Sequence, residues 1–407
     1  MLRTLALGLL VLACFTVGAA ASPIFTTLYS FCSQGGSACT DGARPAYLLL
    51  QEGTIPGAPV IFGVAQNGGA TQHGVAFELA PNASGTAYSE SVLDNFCILS
   101  NCVDGAFPGS PLLIDGLGDL YGTTSLGGAN PNLMAGEGGT IFELIPGAGG
   151  YSERVLYSFC SLADCADGSF PGWLIAPGDG GFYGTTTNGA GTVFRFSVSG
   201  GETVLHSFHG TFPNPVGFAA GRLYGSTRGG GANKAGTVFR LSLAGRKTVL
   251  HDFGSSPADG VSPVGPLLRG KRGRLYGTTD QGGANRSGTV FTISRTGSEK
   301  ILYDFCSRTP CRDGAQPVGG LVMDERGDLY GITNAGGAGA FGGTVFELVR
   351  SEFGGVVAYT ERVLYKFSGC GGNCEPGGLV IDASGNLYGV TAVGGATGGG
   401  TVFKLTP

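Results

Sequence analysis

Aspartate–glycine steps recur along the chain and could carry chemistry. A ring of carboxylates on one face of a repeat protein could bind calcium or a polyhydroxylated ligand. The same dipeptide forms tight turns, because aspartate hydrogen-bonds nearby backbone and glycine accepts positive φ. Repetition at equivalent positions favours the turn interpretation, and the carboxylates are kept as a speculative ligand face. The aspartates concerned are Asp41, Asp104, Asp167, Asp259 and Asp313.

Trp173, the single tryptophan, belongs to the same speculative ligand face. It replaces a small or apolar residue at the start of the third repeat, where it could stack on a sugar ring or fill the core; we favour core filling. His206 and His251 occupy a slot that holds tyrosine in other repeats, so packing explains them. His209 lies near His206 but lacks a third ligand, and His73 stands alone in a loop.

Five glutamates precede apolar strand-like segments, and we interpret them as solvated strand ends rather than catalytic carboxylates. They are Glu90, Glu153, Glu202, Glu299 and Glu361. The sequence contains no nucleophile elbow and no phosphate-loop motif. It therefore predicts no catalytic, cofactor-binding or metal-binding residues, and no cofactor.

Ten of the eleven cysteines form five close pairs. Such pairs can close small disulfide loops, whereas a zinc site needs ligands that converge on one ion. The pairs are far apart in sequence and no histidine accompanies them. We predict local disulfides formed in an oxidising compartment. The pairs are Cys32–Cys39, Cys97–Cys102, Cys160–Cys165, Cys306–Cys311 and Cys370–Cys374.

Two motifs alternate along the chain, Leu-Tyr-Gly-x-Thr and Gly-Thr-Val-Phe-x-Leu, most clearly in residues 385–405. Seven copies of the pair can be read, usually with an aliphatic run before and a Val-Leu-Tyr-x-Phe run after. Four β-rich segments per repeat are typical of a propeller blade. The segments are apolar on both faces, so both faces must be covered.

The register of the repeats predicts a closed ring. The seventh repeat stops after its third strand, while residues 27–31 form a fourth strand without a blade. Pairing the two would remove free strand edges. The predicted fold is all-β, a seven-bladed β-propeller with four antiparallel strands per blade and the last blade closed by the N-terminal strand. Blades are expected at residues 44–96, 108–159, 171–208, 213–253, 263–305, 317–367 and 376–407 plus 27–31. Insertions at residues 53–59, 130–137, 147–152 and 351–360 are expected to be loops.

Composition agrees with a folded, strand-rich protein. The chain has 78 glycines among 407 residues but no collagen period, and 42% hydrophobic residues can build a core. The formal charge of −5 and the lack of a basic stripe in the sequence give no support for a nucleic-acid partner.

The N-terminus predicts export. Arg3 precedes an apolar run at residues 5–17, and three alanines end at Ala21. We expect a signal peptide at residues 1–21 whose removal leaves residues 22–407 as one propeller domain. A lipoprotein signal with an acylated Cys14 is the alternative. No second apolar segment follows, so we expect no transmembrane segment in the mature chain.

The repeat unit, Leu-Tyr-Gly-x-Thr with Gly-Thr-Val-Phe-x-Leu, is similar to the GloVer tandem repeat of the bacterial "choice-of-anchor" surface proteins, over essentially all of the mature chain. The resemblance implies an exported, surface-associated repeat protein without an established biochemical activity. Members of that family differ in their C-terminal anchor. Here the last residues form a blade strand and no sorting segment is visible, so we do not expect C-terminal anchoring.

Two functions remain open. The first is a non-catalytic binding or scaffold module that is secreted, periplasmic or at the cell surface, monomeric, with an unknown protein or glycan ligand. The alternative is a propeller enzyme of lactonase, glycan-lyase or hydrolase type, with its site at the channel mouth. An active site needs a unique cluster of ionisable residues, whereas this chain repeats its polar residues, which favours binding. We expect any ligand on the face that carries the disulfide loops.

Overall fold

The computed structural model describes residues 22–129, 138–188, 191–208, 211–339, 342–368 and 374–407. They form seven small antiparallel sheets, each a blade of a β-propeller. The predicted signal peptide, including Cys14, and the predicted insertion at residues 130–137 lie outside the described residues. None of the helices among the described residues is long and apolar enough to cross a membrane.

The strands follow one another from the channel outward in each blade. Blade 1 contains β2 (Ala43–Gln51), β3 (Val60–Asn67), β4 (Val75–Pro81) and β5 (Tyr88–Asn95). Blade 2 has a divided first strand, β6 (Ala106–Pro108) and β7 (Leu113–Ile114), then β8 (Leu120–Leu126), β9 (Thr140–Gly147) and β10 (Gly150–Ser158). Blade 3 contains β11 (Ser169–Ile175), β12 (Phe182–Asn188), β13 (Thr192–Ser197) and β14 (Gly201–Ser207).

The remaining blades repeat this order. Blade 4 contains β15 (Gly217–Ala219), β16 (Arg222–Thr227), β17 (Thr237–Ser242) and β18 (Lys247–Asp252). Blade 5 contains β19 (Gly260–Arg269), β20 (Leu275–Gly282), β21 (Thr289–Ile293) and β22 (Glu299–Asp304). Blade 6 contains β23 (Ala315–Met323), β24 (Leu329–Ala335), β25 (Thr344–Phe353) and β26 (Val356–Lys366). Blade 7 contains β27 (Pro376–Ile381), β28 (Leu387–Thr391), β29 (Thr401–Thr406) and, from the other end of the chain, β1 (Ile24–Ser30). Short 3-10 turns lie at Gly36–Ala38, Ser100–Cys102, Ala163–Cys165 and Lys271–Gly273.

The closing strand confirms the predicted ring. β1 pairs antiparallel with β29, from Ile24 opposite Thr406 to Ser30 opposite Thr401. The Phe25 ring stacks on Tyr365 of blade 6 with 3.8 Å between ring centroids. The N-terminal strand therefore completes blade 7 and also packs on the preceding blade.

Hydrophobic cores lie between neighbouring blades. Ile61 and Phe77 of blade 1, for example, share one buried cluster with Tyr388 and Val390 of blade 7. Each blade is thus covered on both faces, as the apolar pattern of its strands predicted.

The fourth strand of every blade carries a β-bulge opposite the Thr-Val-Phe segment. In blade 5 the register with β21 shifts between Val290 and Phe291, and each other blade has a shift at the equivalent place. A bulge adds one residue and increases the local twist. It explains why Val-Leu-Tyr-x-Phe has consecutive apolar residues without a polar side.

Two sets of links share one face of the ring, which we call the disulfide face. The N–H of Gly69, between β3 and β4, donates to the carbonyl of Cys39, in the loop that enters blade 1, at 2.9 Å. Blades 2 and 6 repeat the contact at Cys102 and Cys311.

Four of the predicted disulfides are confirmed, Cys32–Cys39, Cys97–Cys102, Cys160–Cys165 and Cys306–Cys311. Cys370 of the fifth pair lies outside the described residues.

Two insertions predicted as loops, at residues 147–152 and 351–360, are instead parts of hairpins. In the first, Gly150 pairs with Gly147 across a two-residue turn. In the second, β25 and β26 continue in register to Phe353 opposite Val356. Gly354 and Gly355, with φ of 58° and 80°, form the two-residue turn. Positive φ at both positions matches the turn to the twist of the strands, and glycine adopts it without strain.

Candidate functional site

A cavity of 630 Å³ lies between blades 5 and 6, and six cationic side chains line it. It is on the face opposite the disulfide face, which is not the face on which the sequence led us to expect a ligand. On this face the first strand of each blade turns into the second and the third into the fourth, and we call it the turn face. We call the pocket the basic cavity. It gathers a quarter of the 24 lysines and arginines of a chain with net charge −5. Its cations are Lys271, Arg272, Arg274, Lys300, Arg326 and Arg350.

One tight link supplies three of these cations. Residues 269–274 read Arg-Gly-Lys-Arg-Gly-Arg and join β19 to β20. The link makes a 3-10 turn at Lys271–Gly273, with Arg272 at φ 59° and Gly273 at φ 71°. A turn this short holds Lys271, Arg272 and Arg274 together at the end of blade 5.

The long hairpin of blade 6 forms another part of the cavity. β25 and β26 contribute Arg350, Val356 and Tyr359 to its lining. At the hairpin tip, Phe353 is 91% exposed and Val356 67% exposed. Burial, followed by a hydrogen bond with Tyr276, raises the pKa of Tyr359, so its hydroxyl stays neutral.

The cations of the basic cavity are only partly neutralised. Arg350 pairs with Glu352, and the Arg326 Nε atom lies 3.2 Å from Asp324 and 3.7 Å from Asp328. In the described part of the chain, the other four cations of the cavity make no ion pair. The cavity is therefore suited to an anionic ligand.

A second cavity, of 240 Å³, lies on the disulfide face at the mouth of the channel. Arg44 and Glu375 form an ion pair on its rim with 2.5 Å between Nη2 and Oε2. Both residues have positive φ, 57° and 45°. Gln66, Asn334 and Tyr47 also line the cavity, which makes it polar but nearly charge-balanced.

Trp173 lies in the channel and contacts Tyr47 edge-on, with 4.9 Å between ring centroids. The two residues belong to the first strands of blades 3 and 1, so they meet across the channel. Burial raises the pKa of Tyr47. The aromatic pair fills the channel near the cavity on the disulfide face.

The five predicted aspartates are buried beneath the disulfide face. Asp167 accepts hydrogen bonds from the Ser161 N–H at 2.8 Å and from the Tyr157 hydroxyl at 2.8 Å. Asp41 and Asp313 make the same contacts in their own loops. Exposure is 5% or less for Asp41, Asp104, Asp167, Asp259 and Asp313. The structure does not bring Trp173 into contact with them, and whether they bind a ligand stays a prediction.

The expectation that the five glutamates are solvated strand ends is wrong. Each lies at a junction between blades, beside the aspartate of the loop entering its own blade, and its Oε1 atom is shielded from solvent. Burial, and then Asp167, raise the pKa of Glu202 to about 8. Burial likewise raises the pKa to about 8 for Glu153 and Glu299 and to about 7 for Glu90 and Glu361.

The histidines do not share one environment. His73 Nδ1 lies 2.6 Å from the Thr71 carbonyl oxygen, and His206 packs edge-on against Phe208. His251 approaches Asp259 and Glu299 at 3.7 and 3.6 Å. His209 lies outside the described residues.

Sequence reasoning missed both the basic cavity and the His251 cluster. The six cations are spread over 80 residues of sequence from 271 to 350, and Glu299 reaches His251 from the next blade. The run Arg-Gly-Lys-Arg-Gly-Arg at residues 269–274 is the sequence feature that could have indicated the cavity.

The profile of the Gloeobacter/Verrucomicrobia repeat matches residues 15–218, 187–361 and 300–407. The chain belongs to this repeat family. The match to the Gloeobacter/Verrucomicrobia repeat thus confirms the resemblance that the Leu-Tyr-Gly and Thr-Val-Phe motifs indicated. No curated protein matches the chain.

Solved structures similar to this repeat protein show the propeller fold. The WD40 β-propeller domain of Doa1 is 10% identical with a TM-score of 0.53, over 93% of this chain and 95% of that one. A puromycin hydrolase mutant complexed with PGG is 13% identical with a TM-score of 0.52, over 87% of this chain and 51% of that one. One is a WD40 domain and the other a hydrolase, so the similarity concerns the fold alone.

Proposed function

We propose that this protein is an exported, non-catalytic binding module whose basic cavity takes an acidic polysaccharide. The observation that carries the proposal is the convergence of six cations on one 630 Å³ cavity of an acidic chain. Sites for small ligands commonly have volumes of roughly 300–1,000 Å³. Guanidinium groups bind carboxylate and sulfate oxygens through paired hydrogen bonds.

The lining of the basic cavity and the neighbouring hairpin tip favour a sugar polymer among anionic ligands. Phe353 and Val356 at the hairpin tip are exposed, and apolar side chains can pack on the apolar faces of sugar rings. Tyr359 adds a neutral hydroxyl. A uronate or sulfated sugar would use the cations for its charges and the hairpin tip for its ring.

Export is supported by the disulfides and by the predicted signal peptide. Four disulfides form within short loops, and disulfides persist in oxidising compartments. With the predicted signal peptide, they favour a secreted, periplasmic or cell-surface protein.

The lining of the basic cavity favours binding over hydrolysis. Glu352 is the one carboxylate among its described lining residues, and it pairs with Arg350. Glycoside hydrolysis usually needs two carboxyl groups, an acid and a nucleophile or base. The hydrolase alternative therefore receives no support from this site.

Titration of the mature chain with polygalacturonate tests the proposal, with neutral dextran as the reference polymer. Replacing Lys271, Arg272 and Arg274 together by alanine should weaken binding at least tenfold and flatten its salt dependence, since three charges are lost. Arg246→Ala is the matched control, because Arg246 is exposed near a turn of blade 4 on the same face and lies outside the cavity.

Equal binding by the triple variant would overturn the proposal and would direct attention to the cavity on the disulfide face. Equal affinity for dextran, or a clear preference for a DNA oligonucleotide, would also overturn it. Shortened or unsaturated sugar products would instead support the enzyme alternative.

A further inference from the structure

Three side chains from three elements converge at the junction of blades 4 and 5. The His251 Nε2 atom of β18 lies 3.7 Å from Asp259 Oδ1, in the loop that enters blade 5. It lies 3.6 Å from Glu299 Oε2, at the start of β22. One donor atom from each residue lies within 4.8 Å of the others.

These groups are buried and incompletely partnered. The side chains of His251, Asp259 and Glu299 are 15%, 3% and 14% exposed. Within the described residues, His251 Nε2, Asp259 Oδ1 and Glu299 Oε1 have no hydrogen-bond partner. A buried polar atom without a partner costs free energy, so something is expected to satisfy it.

The equivalent junctions show what is different here. Where tyrosine occupies the slot of His251, its longer side chain reaches the aspartate, as in Tyr157 to Asp167 at 2.8 Å and Tyr303 to Asp313 at 2.7 Å. Imidazole is shorter than phenol, and the 3.7 Å gap to Asp259 is too long for a hydrogen bond. His251 therefore faces both carboxylates without a hydrogen bond to either.

We propose that His251, Asp259 and Glu299 bind one divalent transition-metal ion, with Zn²⁺ as the best fit. Zinc accepts both imidazole nitrogen and carboxylate oxygen as ligands, at about 2.0–2.2 Å from the ion. Two such ligands around a tetrahedral ion lie about 3.3 Å apart, close to the separations measured here. Three protein ligands leave a fourth position for water or an external ligand.

The surroundings already orient two of the ligands. The Ser255 N–H and hydroxyl donate to Asp259 Oδ2 at 2.9 and 2.8 Å, which directs Oδ1 towards His251. The His251 ring packs edge-on against Phe253 with 4.8 Å between centroids. Such outer contacts tune and position metal ligands. The ion would join the fourth strand of blade 4, the linking loop and the fourth strand of blade 5.

The test uses the tag-free mature chain, stripped with chelator and titrated with Co²⁺ and then Zn²⁺. We expect one ion per chain, a visible Co²⁺ spectrum that Zn²⁺ abolishes, and a higher melting temperature with Zn²⁺. His251→Tyr should weaken binding at least tenfold while still folding, because tyrosine occupies this slot at other junctions. Glu299→Gln should also weaken it.

His206→Tyr is the matched control and should bind like the wild type. It makes the same change in the same slot one blade earlier, where Lys247 stands in the place of the glutamate. Failure of the wild-type chain to bind either ion would overturn the proposal. A proton shared between Asp259 and Glu299 would then explain how the two carboxyl groups lie side by side. Unchanged binding by folded His251→Tyr, or equal loss in His206→Tyr, would overturn it too.

Discussion

The same residues recur in the Leu-Tyr-Gly-x-Thr and Thr-Val-Phe motifs because of two contacts between the second and third strands of each blade. A Cβ atom on Gly331 would lie 2.5 Å from Phe346 Cζ, so the phenylalanine of Thr-Val-Phe requires the glycine of Leu-Tyr-Gly. The two threonines of the unit also meet, as Thr391 and Thr401 do with 2.9 Å between hydroxyl oxygens. These residues are structural, and their repetition is no sign of a ligand site.

The threonine pair predicts a coupled response to mutation. Thr391→Val or Thr401→Val should each lower the free energy of unfolding by about 1–3 kcal/mol, because each leaves a buried hydroxyl without its partner. The double variant should lower the free energy of unfolding by less than the sum of the two single losses, because it leaves no unpartnered hydroxyl. Blade 1 already uses an apolar pair, Ala65 opposite Val75.

Urea unfolding of the four proteins in this double-mutant cycle measures the coupling. Additive losses would mean that the two hydroxyls do not depend on each other.

At the scale of elements, ring closure depends on β1. Its residues have different roles: Phe25 packs on the core shared with blade 6, whereas Leu28 and Tyr29 pack on the core shared with blade 1. Ile24 is 64% exposed, whereas Phe25 contacts Tyr365, Phe367 and Phe403. The bulge at residues 27–29 places this strand in the same register as the fourth strand of other blades.

Phe25→Ala should destabilise the protein strongly, approaching the roughly 3–5 kcal/mol typical of a buried phenylalanine. Ile24→Ala, the adjacent control, should change stability by about 0.5 kcal/mol or less. Deleting residues 25–31 should lower the melting temperature further. Thermal and urea unfolding check all three, and equal stability of the deletion variant would contradict closure by β1.

At the scale of the whole molecule, paired carboxylates recur around the ring. Five of the seven junctions place a loop aspartate beside a glutamate from a neighbouring fourth strand. The other two junction loops contain no aspartate, and there Lys247 and Phe25 take the place of the glutamate. Aspartate and glutamate are therefore present or absent together, which indicates that the pair functions as a unit.

The burial of Glu202 beside Asp167 predicts that stability falls as the pH rises from about 4.5 to about 8. The pKa of Glu202 is raised to about 8 in the folded protein, from an ordinary value of 4.5. The folded state therefore holds the proton more tightly. This contribution to stability is complete below about pH 4.5 and is lost as the pH rises towards 8.

Glu202→Gln should reduce that loss, by at most about 1.4 kcal/mol per pH unit. Unfolding measured from pH 5 to 9 compares the variant with the wild type and with Glu325→Gln, which changes an exposed side chain. A Glu202→Gln profile parallel to that of the wild type would contradict the prediction.

Local repetition made much of this protein predictable. The blade count, the strand segments, four disulfide loops and the closing strand all follow from motifs that recur at nearly fixed spacing. The hairpins at residues 147–152 and 351–360 and the bulges were not predicted, because strand pairing beyond the motif and register shifts depend on the facing strand. The side chains of the basic cavity were missed for the same reason, since blades 5 and 6 each supply only part of them.

The sequence by itself determined the architecture, because each blade is specified by contacts among residues of one repeat and each repeat carries the same contacts. Only the tertiary structure decided which side chains meet between repeats. Packing of blade against blade buries the glutamates at strand ends beside aspartates. It also brings a histidine, at a position held by tyrosine in other blades, into a three-residue cluster. It also gathered six cations of an acidic chain around one cavity. These groups form because residues of different blades lie close together, and the sequence of one blade does not show which residues of the next blade it will contact.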